Sequence, residues 1–277
     1  MDYKRILTIQ DISCVGQCSL TVALPILSAC GLETAILPSA VLSTHSVGFR
    51  DFTFRDLTED IPAIEHHWQQ EGIVFRRCTP ATWEGAPPRF EMVKDICRNL
   101  LVPGGKKIVD PAMADRGELY PVFDMDFVQE MKELVGEGDI VLPNITEASL
   151  LTDTEYREEY DEEYICGLVD GIHRLGAGTV VLTGVSYDAH STGVLVSEQG
   201  KQTYYRHELL DRSCHGTGDV YASSFVGAYM HGKTVPEAAR IAADYTLACI
   251  KNTLDDPDHW YGVKFEPVLG ELIKALK

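Results

Sequence analysis

The sequence predicts an α/β protein of three layers, in which a mostly parallel sheet is covered by helices on both faces. Short apolar runs, among them residues 5–10, 34–37 and 107–109, have the length and composition of buried strands. Each run is followed by a longer segment with apolar residues at helical spacing, and this alternation is typical of a parallel sheet covered on both sides. A length of 277 residues suits one large domain, so we expect residues 1–277 to form a single domain.

The individual elements follow from local patterns. Apolar residues that recur every three or four positions predict helices over residues 19–30, 56–70, 90–101, 126–135, 164–175, 220–230, 235–251 and 266–276. The remaining strands are predicted over residues 139–142 and 179–182, with a hairpin over residues 193–197 and 203–207.

Three stretches interrupt the regular alternation. Residues 11–16 are predicted to be a loop after the first strand, and the charged residues 155–163 indicate a solvated helix start. Residues 75–89 contain three prolines and fit neither a strand period nor a helical one. No regular element is therefore predicted over residues 75–89.

Composition excludes several classes of function. The formal net charge is −18 and no run of Lys and Arg occurs, so a nucleic-acid surface is not expected. No apolar run approaches the ~20 residues of a membrane-spanning helix, and no signal-peptide core follows Met1. The eight cysteines include no CxxC pair, which fits a reducing compartment. We expect a cytoplasmic protein that binds neither nucleic acid nor membrane.

The most informative motif is Gly216-Thr217-Gly218-Asp219, which precedes the apolar run 220–230. The motif is predicted to lie at a helix N-terminus, where unpaired N–H groups and the helix dipole attract an anion. A carboxylate beside such an anion can deprotonate an attacking hydroxyl, as phosphoryl transfer requires. A glycine turn before a capped helix gives the same pattern, and the motif alone does not separate these two interpretations.

Polar residues collect where the predicted strands end, which is where ligands bind in sheets of this kind. They are Asp11, Ser46, Asp110, Asp115, Asn144, Glu147, Thr183 and Asp219. Each one alone is compatible with a cap or a turn. Their joint position beside the glycine motif favours an active site.

Five motifs together resemble the pyridoxal (vitamin B6) kinases of the ribokinase-like superfamily. They are Ile9-Gln10-Asp11 with Val15-Gly16, Ser43-Thr44-His45-Ser46, Asp110-Pro111-Ala112-Met113-Ala114-Asp115, Pro143-Asn144-Ile145-Thr146-Glu147 and Gly216-Thr217-Gly218-Asp219. The resemblance runs nearly from end to end, and the combination is specific, although the last motif alone marks only the superfamily. It implies a ribokinase-like three-layer sandwich and a homodimer.

The resemblance also implies roles for the site residues. Asp219 would be the general base on the 5′-hydroxyl of the vitamer, and Gly216, Thr217 and Gly218 would hold the transferred phosphoryl group. The vitamer would contact Asp11, His45, Ser46 and Asp219. The nucleotide would contact Asp110, Asp115, Asn144, Glu147, Thr183, Gly184 and Thr217. ATP and Mg²⁺ would be the cofactors, with Glu147 and Asp110 at the metal, and a monovalent cation is a further candidate. Mg²⁺ suits such oxygen ligands.

Three positions depart from the family pattern: Asp11, Ser46 and Leu142, the last of which occupies a position that is often polar. Asp11 and Ser46 stand where the family commonly has serine and threonine. Asp11 can pair with the pyridinium nitrogen or cap the next helix, and both interpretations are open. Some related kinases use active-site cysteines, but they carry one of them where Asp219 stands here, so Cys214 is interpreted as a bystander.

The largest departure is the irregular stretch 75–89, where the family has a strand ending in a substrate-pocket tyrosine. A shifted reading frame of the back-translated stretch restores a similar pattern, which suggests the hypothesis of a compensated frame shift. If the strand is lost, catalysis is impaired. The resemblance thus predicts ATP-dependent phosphorylation of pyridoxal, pyridoxine or pyridoxamine. The alternatives are a hydroxymethylpyrimidine (phosphate) kinase and a catalytically impaired relative that still binds ligand.

Overall fold

The computed structural model describes residues 4–81, 89–210 and 214–277. Its strands are β1 (Arg5–Val15), β2 (Glu33–Thr44), β3 (Phe54–Asp56), β4 (Phe75–Pro80), β5 (Leu101–Val109), β6 (Ala114–Asp115), β7 (Glu118–Leu119), β8 (Ile140–Val141), β9 (Thr179–Asp188), β10 (Ser191–Glu198) and β11 (Lys201–Glu208). Its helices are α1 (Leu20–Ala29), α2 (Ile61–Gln70), α3 (Arg89–Leu100), α4 (Met125–Gly136), α5 (Ile145–Leu151), α6 (Glu162–Leu175), α7 (Thr217–Met230), α8 (Val235–Thr253) and α9 (Leu269–Ala275).

Nine of the described strands form one sheet in the order β11-β10-β9-β8-β5-β4-β1-β2-β3. The six central strands, from β9 to β2, run parallel, whereas β3, β10 and β11 add antiparallel edges. The remaining pair, β6 and β7, forms a small separate hairpin. The central strands therefore end at a common edge of the sheet.

Two apolar cores lie between the sheet and the helical layers on its two faces. Alternate residues of β1 enter opposite cores, with Leu7 and Ile9 on one side and Ile6 on the other, as the pleat of a strand requires. Helices α2 to α6 cover the first face, and α1, α7, α8 and α9 cover the second. The predicted layering, a mostly parallel sheet between helices, is confirmed.

Most predicted helices and the hairpin occur close to their predicted positions, but one predicted loop and one predicted helix start are wrong. The first strand continues to Val15 with a register shift between Gln10 and Ile12, because β2 extends to Thr44 and pairs with its far end. Residues 155–161 are not helical, since α6 begins only after the Asp161 side chain accepts the Tyr164 N–H.

The absence of regular structure predicted for residues 75–89 is also wrong where the structure describes them. Phe75–Pro80 forms β4, which pairs in parallel with β1 and β5 on its two sides. Pro80 is tolerated because it ends the strand, where its carbonyl still accepts the Asp110 N–H at 3.1 Å. The rest of the irregular stretch, residues 82–88, lies outside the described residues.

Within the described parts of the chain, no helix combines the length and the apolar character needed to cross a bilayer.

The central position of β4 predicts a large effect of truncating its buried aromatic residue. Phe75 is 1% exposed and its ring lies 5.7 Å from the Trp68 ring, so Phe75→Ala should lower the free energy of unfolding by about 3–5 kcal/mol in urea titrations. The neighbouring Val74 is 45% exposed, and Val74→Ala serves as the control with an expected change within about 0.5 kcal/mol. Equal effects of the two substitutions would contradict a buried β4.

Candidate active site

The predicted site residues lie where the parallel strands end. Asp110 follows β5 directly, and Asn144 forms an isolated parallel bridge with Thr183 that continues the pairing of β8 with β9. The end of β4 joins this edge through the Ala81 N–H, which donates to Ile9 O at 3.1 Å. The sheet order thus brings together residues that are far apart in the sequence.

The glycine motif begins α7, as predicted. Gly216 is the N-cap residue in the left-handed conformation, with φ 76°, and a Cβ there would lie 1.7 Å from Gln17 O. Only glycine fits this position. A Cβ at Gly218 would meet nothing within 4 Å, so the space beside Gly218 is open. The Thr217 hydroxyl donates to Cys214 O at 3.3 Å. This arrangement suits an anion.

Asp219 occupies the first turn of the same helix. Burial raises the pKa of Asp219 to about 7; a hydrogen bond from the Ser19 N–H opposes the rise, and the nearby charge of Asp11 adds to it. A carboxylate with this pKa is a stronger base than an ordinary aspartate and is still largely ionised above neutral pH. That is the range in which a general base works best.

Asp110 lies beside Asp219. Burial and the charge of Asp219 together raise the pKa of Asp110 to about 8. Neighbouring carboxyl groups whose pKa values are raised form a place where a cation is stabilised, because a cation offsets the repulsion between their charges.

Glu147 is tied to the backbone around it. Its two oxygens accept the N–H groups of Asn144 at 2.8 Å and of Met113 at 3.1 Å, and the Asn144 side chain accepts the Glu147 N–H at 2.9 Å. This capping box starts α5, and the Asn144 amide also donates to Ala114 O at 2.8 Å. Burial and the charge of Asp110 raise the pKa of Glu147, while the backbone N–H groups lower it. With both oxygens occupied, Glu147 is suited to reach a metal ion through water.

Tyr120 was missed by the sequence analysis. Burial raises its pKa, and the charges of Glu147, Asp115, Asp110 and Asp219 raise it further, so this phenol lies among all four carboxylates. No sequence signal marked it, because its place depends on the β6–β7 hairpin that precedes it.

The carboxylates fit Mg²⁺ as a cofactor bound together with substrate phosphates. Within the described residues, no three His, Cys, Asp or Glu side chains are arranged to hold a metal ion by themselves. Mg²⁺ ordinarily uses one or two carboxylates, with phosphate oxygens and waters completing its shell. Asp110 and Glu147 supply carboxylates of this kind.

The other residues predicted to contact the nucleotide include Asp115, Thr183 and Gly184. Asp115 is exposed and accepts the Arg116 N–H at 2.9 Å. The N–H and the hydroxyl of Thr183 both donate to Pro143 O, at 2.9 and 3.3 Å. Gly184 has φ 77°, and a Cβ there would meet nothing within 4 Å. Thr183 is therefore fixed by the end of β8, whereas Gly184 faces open space.

The residues predicted to contact the substrate differ in their exposure to solvent. Ser46 is partly exposed, whereas His45 is 4% exposed and its Nε2 lies 2.8 Å from Tyr261 O. Burial lowers the pKa of His45, so the ring is neutral and its single hydrogen is on Nε2, facing that carbonyl. Its ring also packs 4.9 Å from Phe49 and 5.6 Å from His215. His45 connects the loop after β2 to the C-terminal segment.

Asp11 is also enclosed. Its oxygens accept the Ser19 hydroxyl at 2.6 Å and the Ser13 hydroxyl at 3.0 Å, and the residue is 3% exposed. Burial raises the pKa of Asp11, and the two serine bonds oppose the rise. The N-cap of α1 is Ser19 itself, so Asp11 holds the cap residue instead of capping the helix.

Residues 86–262 match the family model for phosphomethylpyrimidine kinase. The chain belongs to the phosphomethylpyrimidine kinase family. A protein of Bacteroides thetaiotaomicron VPI-5482, assigned as such a kinase and crystallised in one form with pyridoxal, is 32% identical, with a TM-score of 0.92 over 98% of this chain and 96% of that one.

Other members of the family act on either of two substrates. The pyridoxal kinase of Lactobacillus plantarum is 27% identical, with a TM-score of 0.89 over 98% of this chain and 97% of that one. The hydroxymethylpyrimidine/phosphomethylpyrimidine kinase of Bacillus subtilis (strain 168) is 23% identical over 225 residues, which are 80% of this chain and 78% of that protein. The ribokinase-like three-layer fold and the resemblance to B6 kinases are confirmed.

The raised pKa of Asp219 predicts that this kinase-family site reduces stability at high pH. The unfolded chain loses the Asp219 proton near pH 4 and the folded protein only near pH 7, so stability falls as the pH rises between these values. Asp219→Asn removes the partly buried charge and should raise the free energy of unfolding by about 1–3 kcal/mol at pH 8. At pH 4 the difference should vanish. Urea titrations at both pH values measure it, and a variant less stable than wild type at pH 8 would contradict a destabilising charge at this position.

Proposed function

We propose that residues 1–277 form one kinase domain that transfers the γ-phosphoryl group of ATP to the 5′-hydroxyl of pyridoxal, pyridoxine or pyridoxamine. The observation that carries this proposal is Asp219, a carboxyl with a pKa of about 7 at the start of α7, directly after the left-handed Gly216. A base and an anion site on one helix turn are what phosphoryl transfer to an alcohol needs. A homodimer in the cytoplasm is part of the same proposal.

In the proposed reaction the 5′-hydroxyl gives its proton to Asp219 while its oxygen attacks the γ-phosphorus. The bond from that phosphorus to the bridging oxygen breaks, and ADP leaves with the electron pair. The free N–H groups of Gly218 and its neighbours in the first turn of α7 stabilise the negative charge on the transferred group. The open space at Gly218 admits that group.

Asp110 and Glu147 would hold the Mg²⁺ ion, which supplies charge neutralisation between the phosphates when bound. Asp115, Asn144, Thr183 and Gly184 would line the nucleotide side. The capping box fixes the position of the Glu147 carboxylate, and the charge of Asp110 acts on that carboxylate.

The choice of a B6 vitamer is supported by relatives. The Bacteroides protein, which shares the highest identity of those compared above, was crystallised with pyridoxal, and the Lactobacillus protein is a pyridoxal kinase. The second candidate substrate is hydroxymethylpyrimidine, favoured by the family model and by the Bacillus relative. Both substrates present a hydroxymethyl group on a nitrogen heterocycle, so the same base serves either.

A catalytically impaired relative is less well supported. That alternative depended on the loss of the strand in residues 75–89, whereas Phe75–Pro80 forms β4 and the Pro80 carbonyl accepts the Asp110 N–H; residues 82–88 lie outside the described residues. The frame-shift hypothesis concerns the gene, and sequencing it tests that hypothesis directly.

Steady-state assays with ATP and Mg²⁺ test the proposed reaction. Pyridoxal, pyridoxine or pyridoxamine should be phosphorylated, and turnover of hydroxymethylpyrimidine alone would overturn the vitamer assignment. Asp219→Asn should lower kcat by about 10²–10⁴-fold with unchanged affinity for ATP, because the helix N–H groups remain. Asp126, an exposed aspartate in the first turn of α4, provides the matched control, and Asp126→Asn should keep full activity. Equal activity of both variants would remove Asp219 from the mechanism.

Glu147→Gln tests whether Glu147 takes part in the proposed Mg²⁺ site. The substitution replaces a charge that faces Asp110, so the Mg²⁺ concentration for half-maximal rate should rise about 10-fold while the KM for the vitamer stays the same. Glu237 has the same place in the capping box of α8 and is exposed, so Glu237→Gln is the control for loss of a capping carboxylate alone. An unchanged Mg²⁺ requirement in Glu147→Gln would show that Glu147 serves only as a cap.

A further inference from the structure

Strand β9 contains a bulge at the edge of the sheet where the site lies. Thr183 and Val185 pair with consecutive residues of β10, so Gly184 between them is an inserted residue. Gly184 has φ 77°, the left-handed conformation that a glycine adopts in bulges of this kind. A bulge takes backbone groups out of the regular ladder, and those groups need other partners. The partners therefore identify what holds the bulge.

Tyr160 is bonded to the bulge through its hydroxyl. The hydroxyl oxygen accepts the Ser186 N–H at 2.9 Å and donates a longer bond to Gly184 O at 3.4 Å. Tyr160 directly precedes Asp161, the N-cap residue of α6, and its ring stacks on that of Tyr164 at 5.8 Å. Burial raises the pKa of Tyr160, so the hydroxyl keeps the proton that it donates. A residue from the connection between α5 and α6 thus fixes the backbone around Gly184.

Tyr204 is bonded to the same bulge from β11. Its hydroxyl donates to Val185 O at 2.9 Å, although β10 lies between β9 and β11 in the sheet. The ring can cross β10 because Gly193 has no side chain: a Cβ there would lie 2.6 Å from the Tyr204 ring. Tyr187 packs against this ring at 5.2 Å. The two tyrosine hydroxyls together bind three consecutive residues of β9, 184–186.

The bulge begins next to a residue that contacts the start of α5. Thr183 forms the isolated bridge with Asn144, and its N–H and hydroxyl both donate to Pro143 O, at 2.9 and 3.3 Å. Asn144 belongs to the capping box that fixes Glu147. Gly184 follows directly, is exposed, and would have nothing within 4 Å of an added Cβ. The backbone of Gly184 is therefore accessible to a ligand at this edge of the sheet.

We propose that Tyr160 and Tyr204 are positioning residues for the nucleotide: their hydroxyls hold the β9 bulge in the conformation that presents the backbone of Gly184 to ATP. Neither tyrosine needs to touch ATP, because each acts through the backbone of residues 184–186. The inference rests on the proposed function, in which ATP lies beside Thr183 and Gly184. It gives a role to two residues outside the five sequence motifs.

Loss of either hydroxyl should weaken the binding of nucleotide. Tyr160→Phe and Tyr204→Phe should each raise the dissociation constant for ADP with Mg²⁺ and the KM for ATP about 3- to 10-fold, because the bulge then adopts its binding conformation only part of the time. The kcat and the KM for the vitamer should change less than about twofold, since Asp219 and the start of α7 are untouched. Titration calorimetry with ADP and steady-state kinetics measure these values.

Tyr205→Phe is the matched control. Tyr205 is the next residue of β11, packs on the opposite face of the sheet, and donates its hydroxyl to Asp244 of α8. The substitution removes a phenolic hydrogen bond of the same kind away from the bulge, so the affinity for ADP should equal that of wild type. Equal weakening in Tyr204→Phe and Tyr205→Phe would overturn the proposal. Unchanged affinity for ADP in both Tyr160→Phe and Tyr204→Phe would also overturn it.

Hydrogen exchange supplies a readout that does not depend on activity. In Tyr160→Phe the Ser186 amide loses its acceptor and should exchange about 10-fold faster than in wild type, whereas Tyr205→Phe should leave its rate unchanged. An unchanged rate in Tyr160→Phe would overturn the inference.

Failure of this inference can be told apart from failure of the proposed function. A wild-type protein that binds neither ADP nor ATP would overturn the proposed function, and the positioning role with it. A wild-type protein that binds ADP, with the same affinity in Tyr160→Phe and Tyr204→Phe, would keep the nucleotide site and overturn only the role of the two tyrosines.

Discussion

The site depends on the balance between carboxylates that repel each other and the backbone N–H groups that hold them. Asp11, Asp110, Glu147 and Asp219 all have raised pKa values because burial removes water from them, and neighbouring charges add to the effect for the last three. The rise in the pKa of Glu147 is opposed by the N–H groups of Asn144 and Met113. The rise in the pKa of Asp219 is opposed by the Ser19 backbone. A bound cation between such groups would stabilise them further. The protein thus keeps at this edge of the sheet a cluster of negative charge that suits a metal–nucleotide complex.

The order of the strands in the sheet brings the residues of the site together. The neighbouring strands β1, β4, β5, β8 and β9 end side by side, so the residues that follow them meet although they are separated in the sequence. Hydrogen bonds from Ala81 to Ile9 and from Asp110 to Pro80 connect successive strand ends. The helices α5 and α7 begin at the same edge, and the capping box of α5 satisfies the N–H groups of Asn144 and Glu147 there. A change in strand order would separate the groups even if every element kept its own structure.

The sequence was most informative where function requires an unusual residue at a fixed place. The glycine at position 216 is predictable because its left-handed φ and its contact with Gln17 O exclude any Cβ. The strand β4 was not predictable from Arg76, Arg77 and Pro80, since its burial is imposed by β1 and β5 on both sides and overrides local propensity. Tyr120 was missed for the same reason: the carboxylates whose charges raise its pKa come from distant parts of the sequence and approach it only in the folded protein.

Substrate choice must come from a different part of the molecule than the catalytic groups. Phosphorylation of a hydroxymethyl group on a pyridine and on a pyrimidine needs the same base and the same anion site, so Asp219 and the start of α7 cannot distinguish the two. The ring contacts must do so. The loop after β2 and the C-terminal segment meet beside the glycine motif, where His45 Nε2 donates to Tyr261 O and the Val263 N–H donates to His215 O at 3.2 Å. These contacts join segments from opposite ends of the chain, so the region beside the glycine motif is built by residues outside α7.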